Sequence, residues 1–196
     1  MLGLSLREAQ ELLKSTLIVA LVFTIASKPD PDPVSIGLFF AITLLCAGLG
    51  FILHELMHKL LAQRLGYLAE YSAGEFPWMS VLVAFAGWIF LSPGAVYIAS
   101  PTRPLTKTAN GLISLAGPLT NLFIALGFRV FAGEGLVGAV GYLGWDINIW
   151  LAIFNLVPAP GFDGQKVLAW NKPVYAMSAL AVAACYFLLR NLYPAV

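Results

Sequence analysis

The sequence predicts an all-α polytopic membrane protein of about six transmembrane helices, with one membrane re-entrant β segment near residues 92–100. Three observations carry that reading. Hydrophobic residues make up 60% of the 196 and charged residues 11%, for a mean hydropathy of +0.85, too apolar for a chain surrounded by water. Apolar stretches fall near residues 9–27, 34–63, 76–91, 109–132, 137–157 and 173–192, measured against the ~20 residues a helix needs to cross a bilayer. Between the third and fourth, the run from Leu91 to Ser100 places Pro93 and Gly94 ahead of Ala95, Val96, Tyr97 and Ile98. That run is too short and too punctuated for a helix and suits an extended strand. Irregular or extended backbone survives at membrane depth only where protein or a water-filled cavity satisfies it, so the segment is expected to line a cavity.

The first stretch is strongly apolar only from Leu17 to Ala26, behind an amphipathic lead-in that carries Glu8 and Glu11. Acids where a basic leader would stand argue for a retained span over a cleaved signal. Lys28, Asp30 and Asp32 alternate with Pro29, Pro31 and Pro33 and form an exposed connection to the second helix. With the amino terminus in the cytosol, Arg7, Lys14, Lys59, Arg64, Arg103, Lys107, Lys166 and Lys172 lie on or toward the cytosolic side, against Lys28, Arg129 and Arg190 outside. That asymmetry satisfies the positive-inside rule if the 92–100 segment returns toward the cytosol. No repeat, long linker or appended soluble module is visible, so residues 1–196 read as one domain with a core at about 34–165. Any regulator is then expected to be a separate membrane partner.

Within the second stretch stands His54-Glu55-Leu56-Met57-His58. Residues four apart share a helical face, so two imidazoles converge on one cation while the intervening Glu stands beside it as a base, the arrangement of a zinc hydrolase. With two histidines in the chain this spacing arises by chance about once in 100, and with Glu after the first only ~3 times in 10,000. Ionisable groups inside a membrane span are costly and are as a rule functional.

A catalytic zinc takes three protein ligands and keeps a position open. No third histidine exists, which leaves Asp30, Asp32, Asp146 and Asp163 or a Glu. Asp163 follows Pro158, Pro160 and Gly161 and precedes Gly164, so the fifth helix must break before it and turn it back. The same composition serves equally well as an ordinary interhelical loop. Asp146 is a weaker alternative, placed nearer the opposite membrane face from His54, where pairing with Arg129 is its expected role. Asn155 alone reads as interhelical glue, and Asn121 beyond Gly117-Pro118 as support at a gap in the fourth helix, with direct substrate contact as the alternative. Gly48 and Gly50 beside Ala47 suit either close helix packing or a cavity above the motif. The five tryptophans suit interfacial anchoring or packing. Cys46 and Cys185 read as buried apolar residues without metal or disulfide spacing.

His54-Glu55-Leu56-Met57-His58, the segment from Ser114 to Asn121 containing Ala116-Gly117-Pro118, and Asn155-Leu156-Val157-Pro158 leading to Asp163-Gly164 together resemble the site-2 protease family of intramembrane zinc metalloproteases, in a small archaeal or bacterial form. The resemblance implies His54, His58 and Asp163 as ligands of one catalytic zinc, Glu55 as acid/base, and Asn155 as a donor that positions substrate or stabilises the oxyanion. It likens the 93–96 strand to the family's re-entrant β element. The apolar stretch from Phe76 to Phe90, between the histidine helix and that strand, departs from the pattern.

The expected activity is hydrolysis of peptide bonds in or near transmembrane segments, in a multi-pass protein of the cell membrane with its active site toward the cytosol. His54 lies about nine residues, hence ~13 Å, before the helix end at Gln63. A transmembrane substrate hides its peptide bonds until it unwinds, and the edge from Gly94 to Ala99 could receive the extended product. A net charge of +1 without a basic run or phosphate loop excludes nucleic acid as a partner. The partners expected are the bilayer and a membrane-protein or peptide substrate. Two other classes fit the same residues: a membrane metal-binding or transport protein, and a catalytically silent adaptor on the same fold.

Overall fold

The computed structural model describes residues 3–75, 77–100 and 103–192, in two compact units, Met1–Ala99 and Ser100–Val196. The first holds α1 (Leu6–Ser27), α2 (Pro33–Arg64), β1 (Leu68–Ala73), α3 (Trp78–Phe85) and β2 (Gly94–Ala99). The second holds α4 (Lys107–Arg129), α5 (Gly135–Asn155), α6 (Asp163–Trp170) and α7 (Lys172–Leu192). Five of these, α1, α2, α4, α5 and α7, are long and apolar enough to cross a membrane, which makes the chain a multi-pass membrane protein.

Local chemistry sets the helix ends. Ser5 and Glu8 form a reciprocal capping box at the start of α1, and Lys28 ends it with a left-handed backbone at φ 47°. Asp32 caps α2 by accepting the Ser35 N–H at 2.8 Å, which holds its carboxyl below the usual range, while Pro33 fills the first turn, where no N–H is required. α1 and α2 pack through small residues. A Cβ on Gly48 would stand 2.9 Å from the Thr16 methyl, and the Thr24 and Thr43 hydroxyls lie 2.7 Å apart. The Gly48 face is therefore a packing surface, and the cavity alternative does not hold for it.

The expected strand is present as β2, but it has a partner that hydropathy did not reveal. β1 and β2 pair antiparallel from Leu68 opposite Ala99 to Ala73 opposite Gly94, so the protein carries a small sheet and is not purely α. The predicted third span, residues 76–91, is also corrected. It begins at Phe76, outside the described residues, and forms only the eight-residue α3, about 12 Å long and too short to cross. Gly87 ends that helix region at φ 83°, where a Cβ would stand 3.9 Å from Lys28 Nζ beyond the end of α1, while Pro93 accepts a hydrogen bond from Ser15. The described residues between Gly74 and Pro93 thus run along α1 over the 13 residues from 15 to 28, roughly 20 Å, and come back.

In the second unit, α4 continues through Pro118 without the interruption expected there. Gly144 on α5 lies against the Phe128 ring, and Asn121 donates to Asn148 at 3.1 Å with both side chains fully buried, as expected of an interhelical tie. Arg129 donates to the Leu189 carbonyl and lies over the Trp145 indole at 5.2 Å, a partnership other than the Asp146 pairing expected of it. Leu122, Ala125, Trp145, Ile149, Ala152, Leu156 and Val182 form the core of this unit. Cys46 is buried and Cys185 half-buried, and neither is in a disulfide.

Candidate metal centre

His54 and His58 occupy the last third of α2, one turn apart, and are 4% and 6% exposed. Their Nε2 atoms face one another at 2.9 Å with the rings nearly perpendicular at 85°. Tetrahedral zinc with bonds of ~2.0–2.1 Å needs its nitrogens about 3.4 Å apart, so half an ångström of rotamer adjustment converts this pair into two legs of a site. Glu55, between them in sequence, is 8% exposed. Helical phase brings the three together, because residues three and four apart share one side, Glu55 with His58 and His54 with His58. The first unit therefore holds the two imidazoles and the carboxylate that its sequence predicts in one buried patch.

Asp163 and Asn155 belong to the second unit. α5 ends at Asn155, Pro158 and Pro160 forbid its continuation, and Gly161 turns the chain at φ 92°. α6 then starts on Asp163 itself, where the helix dipole favours a carboxylate. The residue is 8% exposed, and Oδ1 lies 3.5 Å from Lys166 Nζ one turn on. Asp146 is exposed on α5, which sets it apart from a ligand-type carboxylate. Asn155 donates to the Leu151 carbonyl at 3.0 Å, leaving its oxygen and second amide hydrogen for another partner.

Gly164 explains how the break is held. Any Cβ there would run into the Leu156 carbonyl, so α6 begins directly beneath the end of α5, and Tyr175 on α7 donates to that same carbonyl at 3.1 Å. Gly164→Ala is expected to push α6 off its seat and lower stability by about 1–3 kcal/mol, measured as a fall in the detergent unfolding midpoint. An unaltered midpoint would mean that the start of α6 moves freely.

Sequence reasoning missed the groups around the histidine helix. Lys59, next to His58, is 2% exposed and forms an ion pair with Glu8, which is 1% exposed. Tyr71 is buried too, its hydroxyl donates to Ser15 Oγ at 2.7 Å, and burial raises its pKa. The available signal was two acids three apart, Glu8 and Glu11, on the face of an otherwise amphipathic segment.

No family model matches the chain, and no solved structure matches it. Curated relatives do. It is 40% identical over 186 residues to "Putative zinc metalloprotease MJ0611" of Methanocaldococcus jannaschii, covering 90% of this chain and 91% of the relative. It is 28% identical over 176 residues to "Putative zinc metalloprotease YwhC" of Bacillus subtilis, covering 79% and 78%. Against "Putative zinc metalloprotease Rip2" of Mycolicibacterium smegmatis the identity is 31% over 151 residues, 67% of this chain and 57% of the relative. With five helices long and apolar enough to cross a membrane, the chain is a multi-pass membrane protein, and it belongs to this family of zinc metalloproteases.

Proposed function

We propose that the protein is an intramembrane zinc endopeptidase of the site-2 protease type, cutting peptide bonds in or near transmembrane segments of membrane-protein substrates. The observation that carries the reading is the convergence of His54 and His58 Nε2, with Glu55 beside them, inside an apolar 32-residue helix. His54, His58 and Asp163 hold one zinc: all three are buried, and each offers one ligand atom in a donor set that suits the ion. Zinc so held supplies Lewis acidity toward a peptide carbonyl. Glu55 takes the proton of the attacking water and passes it to the departing amine. Asn155 binds the peptide backbone near the cut through its remaining amide hydrogen or its oxygen, and Lys166 neighbours the Asp163 carboxylate.

An extended substrate needs an edge to pair with. Tyr71 and Ala73 direct their N–H groups away from β2, so their cross-strand partners Val96 and Gly94 also face away from β1. In a sheet of two strands that leaves the outer side of β2, at Gly94, Val96 and Ile98, as the edge for an unwound substrate segment. The amino terminus and active site face the cytosol of a multi-pass cell-membrane protein, following the Lys and Arg distribution. Segment 77–93 is a re-entrant hairpin in lipid, because Trp78 and Trp88 are 53% and 74% exposed on an otherwise apolar face. In single-tryptophan variants, brominated acyl chains should quench both far more strongly than the fully buried Trp145. Equal quenching of all three would remove the hairpin from the bilayer.

The reading is tested by incubating the purified protein with a transmembrane peptide in detergent. Cleavage that stops on chelation of zinc and returns on adding zinc is the expected result. Cleavage indifferent to zinc removal contradicts it.

A further inference from the structure

Glu8 is the least expected charge in the molecule, fully buried at the start of a membrane helix and 46 positions before the motif. Its two oxygens do different things. One accepts from Lys59 Nζ, on the turn of α2 that carries His58, and the other accepts the Tyr71 N–H of β1 at 2.9 Å. Lys59 donates in addition to the Gly3 carbonyl at 2.7 Å. One turn along α1, Glu11 accepts the Ala73 N–H at 3.0 Å, the next outward N–H of the same strand. The two carboxylates take the place of a third strand along β1, at the two-residue period of a sheet edge. Ser15 adds a third fastening by donating to the Pro93 carbonyl at 3.0 Å, just ahead of β2, and itself accepts from the Tyr71 hydroxyl at 2.7 Å.

From this geometry, and resting on the peptidase reading, we propose that Glu8 is a positioning residue: it fixes the strand pair relative to the histidine helix, so that a peptide paired with β2 is held in register with His54, Glu55 and His58. Glu11 extends the same clamp and closes the β1 edge, so that an incoming strand has one side to join. A pure packing role for the buried pair would be met by any residues of similar volume. A positioning role needs an acceptor at Tyr71 and charge balance at Lys59 together.

Two double variants separate these roles. Glu8→Gln with Lys59→Met removes both charges but keeps an oxygen for the Tyr71 N–H, whereas Glu8→Leu with Lys59→Met removes that acceptor as well. The first should cut a transmembrane peptide with a KM within about threefold of wild type. The second should raise KM by about tenfold or more with kcat little changed, since binding in register is lost and the chemistry is not. Zinc content should stay at one per chain in both. Amide exchange at Tyr71 gives a readout that needs no turnover: slow in wild type and the Gln/Met variant, fast in the Leu/Met variant. Equal KM and equal exchange in the two doubles would overturn the proposal. If wild type itself fails to cut, the peptidase reading falls, while the exchange comparison still decides whether Glu8 holds the strand.

Discussion

Glu55→Gln should retain one zinc per chain and cut a transmembrane peptide more than about a hundredfold more slowly than wild type, the scale on which a positioned acid/base contributes. The substitution keeps side-chain volume and burial and removes only the ability to accept and return a proton. A fold-breaking variant would lose the metal and the activity together, so measuring zinc by atomic absorption beside single-turnover cleavage separates the two. Wild-type rates in Glu55→Gln would take this residue out of the chemistry. Metal flux across vesicles that His58→Ala abolishes, beside an absence of cleavage, would favour a transporter.

The second large effect falls on Asp163. Asp163→Ala should weaken zinc binding by more than about a hundredfold, since losing a ligand exceeds the 10–100-fold typical of outer-shell changes. The matched control is Asp146→Ala, which removes an exposed carboxylate from the middle of α5 and should leave zinc affinity at the wild-type level. Competition with a chromophoric chelator measures both. Full affinity in Asp163→Ala, or loss in Asp146→Ala, would reassign the third ligand.

The histidine helix was legible because its signal is local: a four-residue spacing on a helix suffices to bring two rings together, and burial follows from the surrounding apolar residues. The break before Asp163 was equally local, written in Pro158, Pro160 and Gly161. What the sequence hid is long-range. β1, with sequence Leu-Ala-Glu-Tyr-Ser-Ala, has no strong alternation and becomes a strand because Glu8 and Glu11 hold one edge while β2 holds the other. The 76–91 stretch passed for a span on hydropathy, but Gly87 in a left-handed backbone and the returning Ser92-Pro93 stop it after two turns of helix. Pro118 predicted a gap in α4, which continues as helix through it. Lys59 read as a charge directed to the aqueous side, and its burial is accounted for by partners 51 and 56 residues away, the Glu8 carboxylate and the Gly3 carbonyl.

Two imidazoles and one carboxylate are expected to hold one zinc ion in this membrane protein. Zinc K-edge X-ray absorption on the purified protein tests it most directly. The expected spectrum has the multiple-scattering signature of two histidines with the remaining ligands oxygen, and it loses one histidine in His58→Ala. A first shell without imidazole, or one containing sulfur from Cys46 or Cys185, would contradict the assignment.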